Sequence, residues 1–286
     1  MSKSYTTVRY TNLNNTLHFI NSFTNPMFPN SEFEVHTHYN EFELYYFLEG
    51  DIYFALEGKQ YDVEEGSMIL ISDGMIHKPI IKSACRYNRK HILIDKKIFI
   101  NSDVFAFDFY NVLRKKRFFI IKKEYVESLK LNTMFEQIER SLSQGTPYED
   151  FCALISLFSL LIKIEKNNNE QDNIQIYSNN NKISEIIKFI DENIPEDLSY
   201  KAISKRFFVT EKYLYKLFKK ETGFTMGNYI TERRIIKAQT MLNAGASAGE
   251  AAIASGFNEY SVFYKSFLRK VGISPAKYIE SLNKNS

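Results

Sequence analysis

Two copies of one pattern in the C-terminal third constrain this chain more than any other feature. Leu214-x3-Phe218-x4-Gly223-Phe224-Thr225 recurs as Phe263-x3-Phe267-x4-Gly272-Ile273-Ser274, at a constant offset of 49 residues. A shorter helical pattern and a tight turn precede each apolar-periodic stretch, so each copy reads as a helix-turn-helix. The pattern predicts an all-α region carrying two DNA-reading units.

At 286 residues the chain is too long for one core of ordinary size, and two domains are expected. The overall charge of +3 hides an asymmetry: residues 182–286 carry +6 and residues 1–181 carry −3. Only the C-terminal region is therefore expected to meet a polyanion. Cys85 and Cys152 stand far apart, and no basic-then-apolar leader opens the sequence, so neither a disulfide framework nor secretion is expected. The most apolar stretch, residues 151–164, falls short of the ~20 residues of a membrane span and is broken by Ser156, Ser159 and Lys163. The expectation is a cytoplasmic protein with no membrane partner.

Composition also marks the divisions. Residues 32–94 alternate apolar and polar around Glu49-Gly50-Asp51, Glu57-Gly58-Lys59, Glu64-Glu65-Gly66 and Asp73-Gly74, the spacing of short strands in a sandwich or barrel. From Glu124 the period becomes helical. One stripe is Leu129, Met134, Phe135, Ile138 and Leu142; after Gly145-Thr146-Pro147 a second is Phe151, Leu154, Ile155, Phe158, Leu161 and Ile162. These two helices form a hairpin that packs on the strands, on a second subunit, or on both. The fold class is thus α+β multidomain: a strand domain (1–120), a hairpin able to dimerise (121–166), a polar linker (167–181) and the double helix-turn-helix (182–286).

In the first unit Ser199 and Thr210 are placed to cap successive helices, and Gly223 to stop the second. Lys212, Tyr215, Lys216 and Lys219 recur at i, i+3, i+4 and i+7, opposite Leu214, Leu217 and Phe218. A basic face held by an apolar one suits a major groove, where Lys donates to guanine or phosphate and Tyr meets a thymine methyl, a base edge or a phosphate. In the second unit Ser247 and Glu250 spell a capping box, Gly256-Phe257 makes the turn, and Asn258 is expected to cap the recognition helix. Tyr260, Ser261, Tyr264 and Lys265 then face away from Phe263 and Phe267, while Lys219, Lys220, Arg269 and Lys270 near the helix ends suit backbone charge. A single helix from Thr225 to about Ala244, roughly 30 Å long, would hold the two units near the ~34 Å spacing of successive major-groove faces.

Residues 182–282 resemble the DNA-binding domain of the AraC/XylS family of bacterial transcription regulators. The resemblance rests on Phe218-Lys219-Lys220-Glu221-Thr222-Gly223, Arg233-Arg234-x2-Lys237-Ala238, Ser255-Gly256-Phe257-Asn258 and Gly272-Ile273-Ser274-Pro275-x2-Tyr278. It implies promoter binding through both units, with Lys212, Tyr215, Lys216, Tyr260, Ser261, Tyr264 and Lys265 at base-contact positions. Ala248-Gly249 stands where the family usually has a larger aliphatic residue, so the second unit is expected to be the less tightly folded.

In the strand domain, His36-Thr37-His38 with Glu43 and Gly50, followed by Gly66-x5-Ser72-Asp73-Gly74-x2-His77, resembles the two motifs of cupin barrels, with Ser72 where Pro is usual. That resemblance implies a cupin-like barrel with His36, His38, Glu43 and His77 as ligand- or metal-binding positions. Three imidazoles and a carboxylate suit a divalent metal, and they equally suit the wall of an organic-ligand pocket. Phe42, Leu44, Tyr46, Tyr53, Phe54, Met68 and Leu70 are the candidate aromatic and aliphatic lining. The expectation is a non-enzymatic transcriptional regulator whose effector changes the packing of the hairpin or of a flexible N-terminal segment. Its expected partners are double-stranded promoter DNA, a small-molecule effector, a second copy of the chain and RNA polymerase. A metal-dependent cupin enzyme with a helical appendage is the alternative.

Overall fold

The computed structural model of the chain describes residues 4–12, 15–29, 31, 33–100, 109–116, 118–167 and 181–283. In chain order these form β1 (Ser4–Asn12), β2 (Leu17–Met27), β3 (Glu41–Glu49), β4 (Ile52–Leu56), β5 (Lys59–Val63), β6 (Met68–Ile71), β7 (His77–Ile81) and β8 (Cys85–Asp95). Then come α1 (Lys97–Ile100), α2 (Phe109–Lys116), β9 (Phe118–Ile121), α3 (Lys123–Ser128), α4 (Leu131–Gln144) and α5 (Pro147–Lys166). The C-terminal region is all helix: α6 (Asn181–Glu192), α7 (Tyr200–Arg206), α8 (Glu211–Thr222), α9 (Met226–Asn243), α10 (Ala248–Ala254), α11 (Tyr260–Val271) and α12 (Pro275–Asn283).

One sheet runs β1-β2-β8-β3-β6-β9 and the other β5-β4-β7, with antiparallel pairing throughout. The two share an interior of Tyr45, Phe47, Phe54, Leu56, Tyr61, Ile69, Ile71 and Tyr87. Strands begin well before residue 32: β1 and β2 pair along their length from Ser4↔Asn25 to Asn12↔Leu17, and β2 continues onto β8. The expected flexible N-terminal segment is therefore, among the described residues, a sheet edge. Its threonines and asparagines read as loop composition, yet cross-strand pairing overrides weak local preference.

The pleat also corrects the expected lining. Along β3 the odd residues Glu43, Tyr45 and Phe47 turn inward, so Phe42 and Leu44, like Met68 and Leu70 of β6, lie outside beneath α4 and α5. Phe54 is inside; Tyr46 meets Phe135 of α4, and Tyr53 lies beneath Lys82. The hairpin buries Phe135, Ile138 and Leu142 from α4 with Ala153, Leu157, Leu160, Leu161 and Ile164 from α5. Phe151, Ile155 and Ile162, expected in the buried stripe, are instead 65%, 55% and 42% exposed. A helix apolar almost all round gives its period no face to select.

Ser199, Thr210 and Thr225 accept from the backbone N–H three residues on, capping α7, α8 and α9, and Ser247 with Glu250 closes a full capping box on α10. Gly223 and Gly272 end α8 and α11 in the left-handed conformation. Asn258 is not the cap of α11: Glu259 holds that position without a side-chain bond. The reason is one extra residue in the second turn. The same turn bond closes both units, from Val209 N–H to Ser204 and from Phe257 N–H to Ala252, after which α8 starts one residue sooner than α11. The second unit's core sets Ala251 and Ala252 beneath Phe257, Phe263 and Phe267, where the first unit offers Ile203.

Candidate nucleic-acid interface and barrel site

Lys212, Tyr215, Lys216, Lys219 and Lys220 of α8 are all exposed, as are Tyr260, Ser261, Tyr264, Lys265 and Arg269 of α11. Each helix is seated by its opposite face, through Leu214 and Phe218 in one and Phe263 and Phe267 in the other, all fully buried. Tyr215 is braced by the ring of Tyr200, 6.0 Å away between centroids. The ten residues do not form one environment. Lys212 and Lys216 lie on the N-terminal part of α8, open to solvent, whereas its C-terminal end abuts the strand domain, where Gln60 Nε2 donates to the Lys220 carbonyl at 2.5 Å. Lys219 and Lys220 there share a cleft with Lys78 and Lys82 of the barrel. Helix α9 has 18 residues and is thus about 27 Å long, rising from the first unit to the second.

In the barrel, His36 forms an isolated bridge to His77 at the start of β7, which brings the loop before β3 against that strand. One ligand atom from each of His36, His38, Glu43 and His77 lies within 4.8 Å of every other. Glu43 Oε2 is 2.7 Å from His77 Nε2 and 3.3 Å from His38 Nε2. Nδ1 of His36 pairs with the Glu34 carbonyl and Nδ1 of His77 with that of Met75, both at 3.0 Å, which fixes the rings and aims their Nε2 atoms at the centre. Burial would raise the Glu43 carboxyl, but His77 and His38 outweigh it and hold the group well below the usual carboxylate range. Burial, with His77 and His38 beside it, lowers His36 to about 3; His38, despite burial, is lifted to about 9 by Glu41 and Glu43. This is a compact donor set of three imidazoles and a carboxylate, with Glu43 and His77 buried and His36 and His38 half-buried, the chemistry of a divalent-metal site.

Sequence reasoning missed three features around it. Arg89 and His91 of β8 share the inward face with Tyr87, opposite Ser22 and Ile20 of β2. The signal was present as Tyr87-x-Arg89-x-His91, a period of two, but polar residues on an inner face escape a search for apolar alternation. Tyr39 accepts from Asn243 of α9. The third feature is ionic: Arg233 of α9 pairs with Glu57 in the β4–β5 turn and with Asp191 of α6, and Lys270 of α11 pairs with Glu232 and donates to the Val35 carbonyl next to His36. Glu232 is wholly buried, and burial raises its carboxyl although Lys270 opposes the shift. Val35, Ala55 and Ile76 of the strand domain enter the core cluster of the first helical unit, so the domains share packed surface as well as charge.

Residues 203–281 match the family model of a helix-turn-helix domain, and residues 27–87 that of a cupin domain. The Msm operon regulatory protein of Streptococcus mutans is 28% identical over 155 residues, 54% of this chain and 52% of that protein. The transcriptional activator RhaS of Salmonella schwarzengrund is 27% identical over 99 residues, 34% of this chain and 36% of that one. The chain thus spans about half, or less, of the length of the curated relatives it matches. Among solved structures, ToxT of Vibrio cholerae is similar over 96% of this chain and 100% of that chain, at a TM-score of 0.39 and 15% identity. The chain thus carries a cupin domain ahead of an AraC-type helix-turn-helix domain, and the curated relatives it resembles are AraC-family regulators.

Proposed function

We propose that this chain is a sequence-specific DNA-binding transcriptional regulator, in which a small-molecule effector held by the cupin domain alters how the helical units meet promoter DNA. The observation that carries the reading is the pair of solvent-facing surfaces on α8 and α11, each bearing lysine and tyrosine and each seated by buried apolar side chains. Lys212, Tyr215 and Lys216, with Tyr260, Ser261, Tyr264 and Lys265, would contact bases, and Lys219, Lys220 and Arg269 the backbone. Contacts to RNA polymerase and work in the cytoplasm follow from the same reading, and no catalytic step is assigned. Footprinting on the DNA flanking the chain's own gene, at several salt concentrations, tests it. A protected, salt-sensitive site is expected; no preference over random competitor would overturn it.

Coupling between the domains would run through α9 and α11. Arg233 to Glu57 and Lys270 to the Val35 carbonyl tie both helical units to the barrel, one beside the β4–β5 turn and the other beside His36. An effector that binds the docked and released arrangements with different affinity shifts their populations. Domain limits of 1–120, 121–166, 167–181 and 182–286 fit this scheme; most of the proposed linker lies outside the described residues.

The second copy would dock on α5. Phe151, Ile155 and Ile162 recur on its outer side at helical spacing beside Tyr148, which is 87% exposed, and this uncovered apolar row continues the hairpin core. Ile155→Asp with Phe151→Asp should convert a dimer to a monomer in light scattering while leaving the melting temperature of the monomer within a few degrees, since both side chains are exposed. A monomeric wild type, or a dimer that survives both charges, would count against α5.

The four donors fit a divalent metal, because their atoms converge and the outer nitrogens of His36 and His77 are held by carbonyls. His36, His38, Glu43 and His77 would hold it. A bound metal supplies a Lewis-acidic anchor for an oxygen or nitrogen of the effector. Adding Zn2+ or Co2+ to chelator-treated protein should raise its melting temperature, and His77→Ala should abolish the increase. Equal behaviour of both proteins would leave the quartet as pocket wall only.

A further inference from the structure

We propose that Arg89 and His91, with Ser22, form an anion-binding subsite inside the barrel that receives the carboxylate of a small organic acid, so that the effector is an acid rather than a neutral polyol. The inference rests on the cupin domain being the effector domain and adds the chemical class of the ligand.

The argument starts from the pleat of β8. Tyr87, Arg89 and His91 fall on the interior face, while the alternate residues Lys90, Ile92 and Ile94 face the hairpin, where Lys90 reaches Glu139. Register sets Ser22 directly opposite Arg89, and Tyr45 opposite His91. Ser22 is 2% exposed, so a hydroxyl has been drawn into the interior beside the guanidinium. No carboxylate among the described residues pairs with Arg89. Its guanidinium instead lies over the rings of Tyr87 and Phe33, at 4.7 and 5.4 Å. Nη1 of Arg89 and Nδ1 of His91 are buried and lack a hydrogen-bond partner.

A buried guanidinium N–H without an acceptor is costly, as is a buried imidazole nitrogen without a partner, unless something supplies the missing group. The planar guanidinium fork matches a carboxylate, two such bonds being stronger and more specific than one, and the aromatic faces of Tyr87 and Phe33 hold the fork in plane. Residues two apart on a strand lie about 6.6 Å apart, so one carboxylate can bridge the Arg89 and His91 side chains. Tyr45, opposite His91, is two residues along β3 from Glu43, so the remainder of the acid would point along the barrel toward the histidine cluster.

Acetate, the smallest carboxylate, is the probe, applied to full-length, chelator-treated protein at constant ionic strength against chloride, with inorganic phosphate and glycerol as parallel arms. Acetate should protect the wild type saturably in thermal melts and in a titration of labelled acetate followed by NMR. Arg89→Gln should weaken binding roughly tenfold or more, the scale of one lost charged hydrogen bond. Arg89→Lys, which keeps the charge and loses the fork, should bind at intermediate strength and serves if the glutamine variant unfolds. Lys78→Ala, outside this face, should match the wild type. Phosphate binding lost in the same variants would identify the subsite as one for oxyanions generally and support it. Acetate without effect beyond chloride, acetate binding equal in wild type and Arg89 variants, or protection by glycerol alone would each overturn the proposal. The assay contains no DNA, so failure to bind promoter fragments would strike the proposed function and leave this result standing.

Discussion

Replacing Lys212 and Lys216 together by alanine is expected to lower affinity for a specific promoter site by roughly a hundredfold or more, with little change in folding stability. Each good base contact contributes about 1 to 3 kcal/mol of discrimination. Both lysines are exposed on α8, next to Tyr215 and on the opposite face from the buried Leu214 and Phe218, and neither makes an ion pair among the described residues. Their removal costs no packing, so the loss should appear in binding alone. The measurement is a gel-shift titration on the footprinted site and on a scrambled site, at two salt concentrations. Loss on both sites with a shallower salt slope would make the lysines phosphate contacts. Undiminished affinity and specificity would remove α8 from the recognition surface. Changing Lys219 and Lys220 should do less, because that end of α8 lies against the barrel.

The second large effect is structural. Gly256→Ala is expected to destabilise the helical domain by about 3 kcal/mol or more, combining a left-handed backbone with a steric clash. Gly256 has φ of +88°, and a Cβ there would stand 2.6 Å from the Ile194 carbonyl oxygen and 2.9 Å from Pro195 Cα. Both obstacles are backbone, so no side-chain rotation relieves them. The first unit shows what the position tolerates when the turn faces water: Phe208 has φ of +53° and is 94% exposed. The same left-handed turn carries a phenyl ring in one unit and forbids a methyl in the other, because only the second is pressed against the segment between α6 and α7. Urea melts that separate helical from sheet signal should show the helical transition moving and DNA binding lost, with metal and acetate binding by the barrel retained. A destabilisation below about 1 kcal/mol would mean that the segment around Ile194 gives way easily.

These two residues show where sequence and structure divide. Whatever depends on groups a few positions apart could be read directly. The caps at Ser199, Thr210 and Thr225, the Ser247–Glu250 box and the stop at Gly223 are hydrogen bonds closed within one turn of chain. The repeat between the two helical units is carried by spacing and residue type, whereas His36, His38, Glu43 and His77 were pointed to by the resemblance to the cupin motifs, and it is the fold that brings His77 to the other three. Asn258 marks the limit, since a single extra residue shifts a cap and the repeat itself looks continuous across it.

What only the tertiary structure decided was which of two equivalent faces is inside and what lies across a long loop. Alternation on β3 is the same whether Phe42 or Tyr45 points inward; the hairpin lying on one side settles it. Helix α5 is apolar on several sides, so its covered face depends on a sheet distant in sequence. Arg233 and Glu57 meet across 176 residues, and Arg89 lies over Tyr87 and Phe33 with no ion pair to a carboxylate among the described residues. Local geometry is written into short stretches of chain, whereas burial is a property of the whole packing, and a side chain's chemistry in this protein follows from burial.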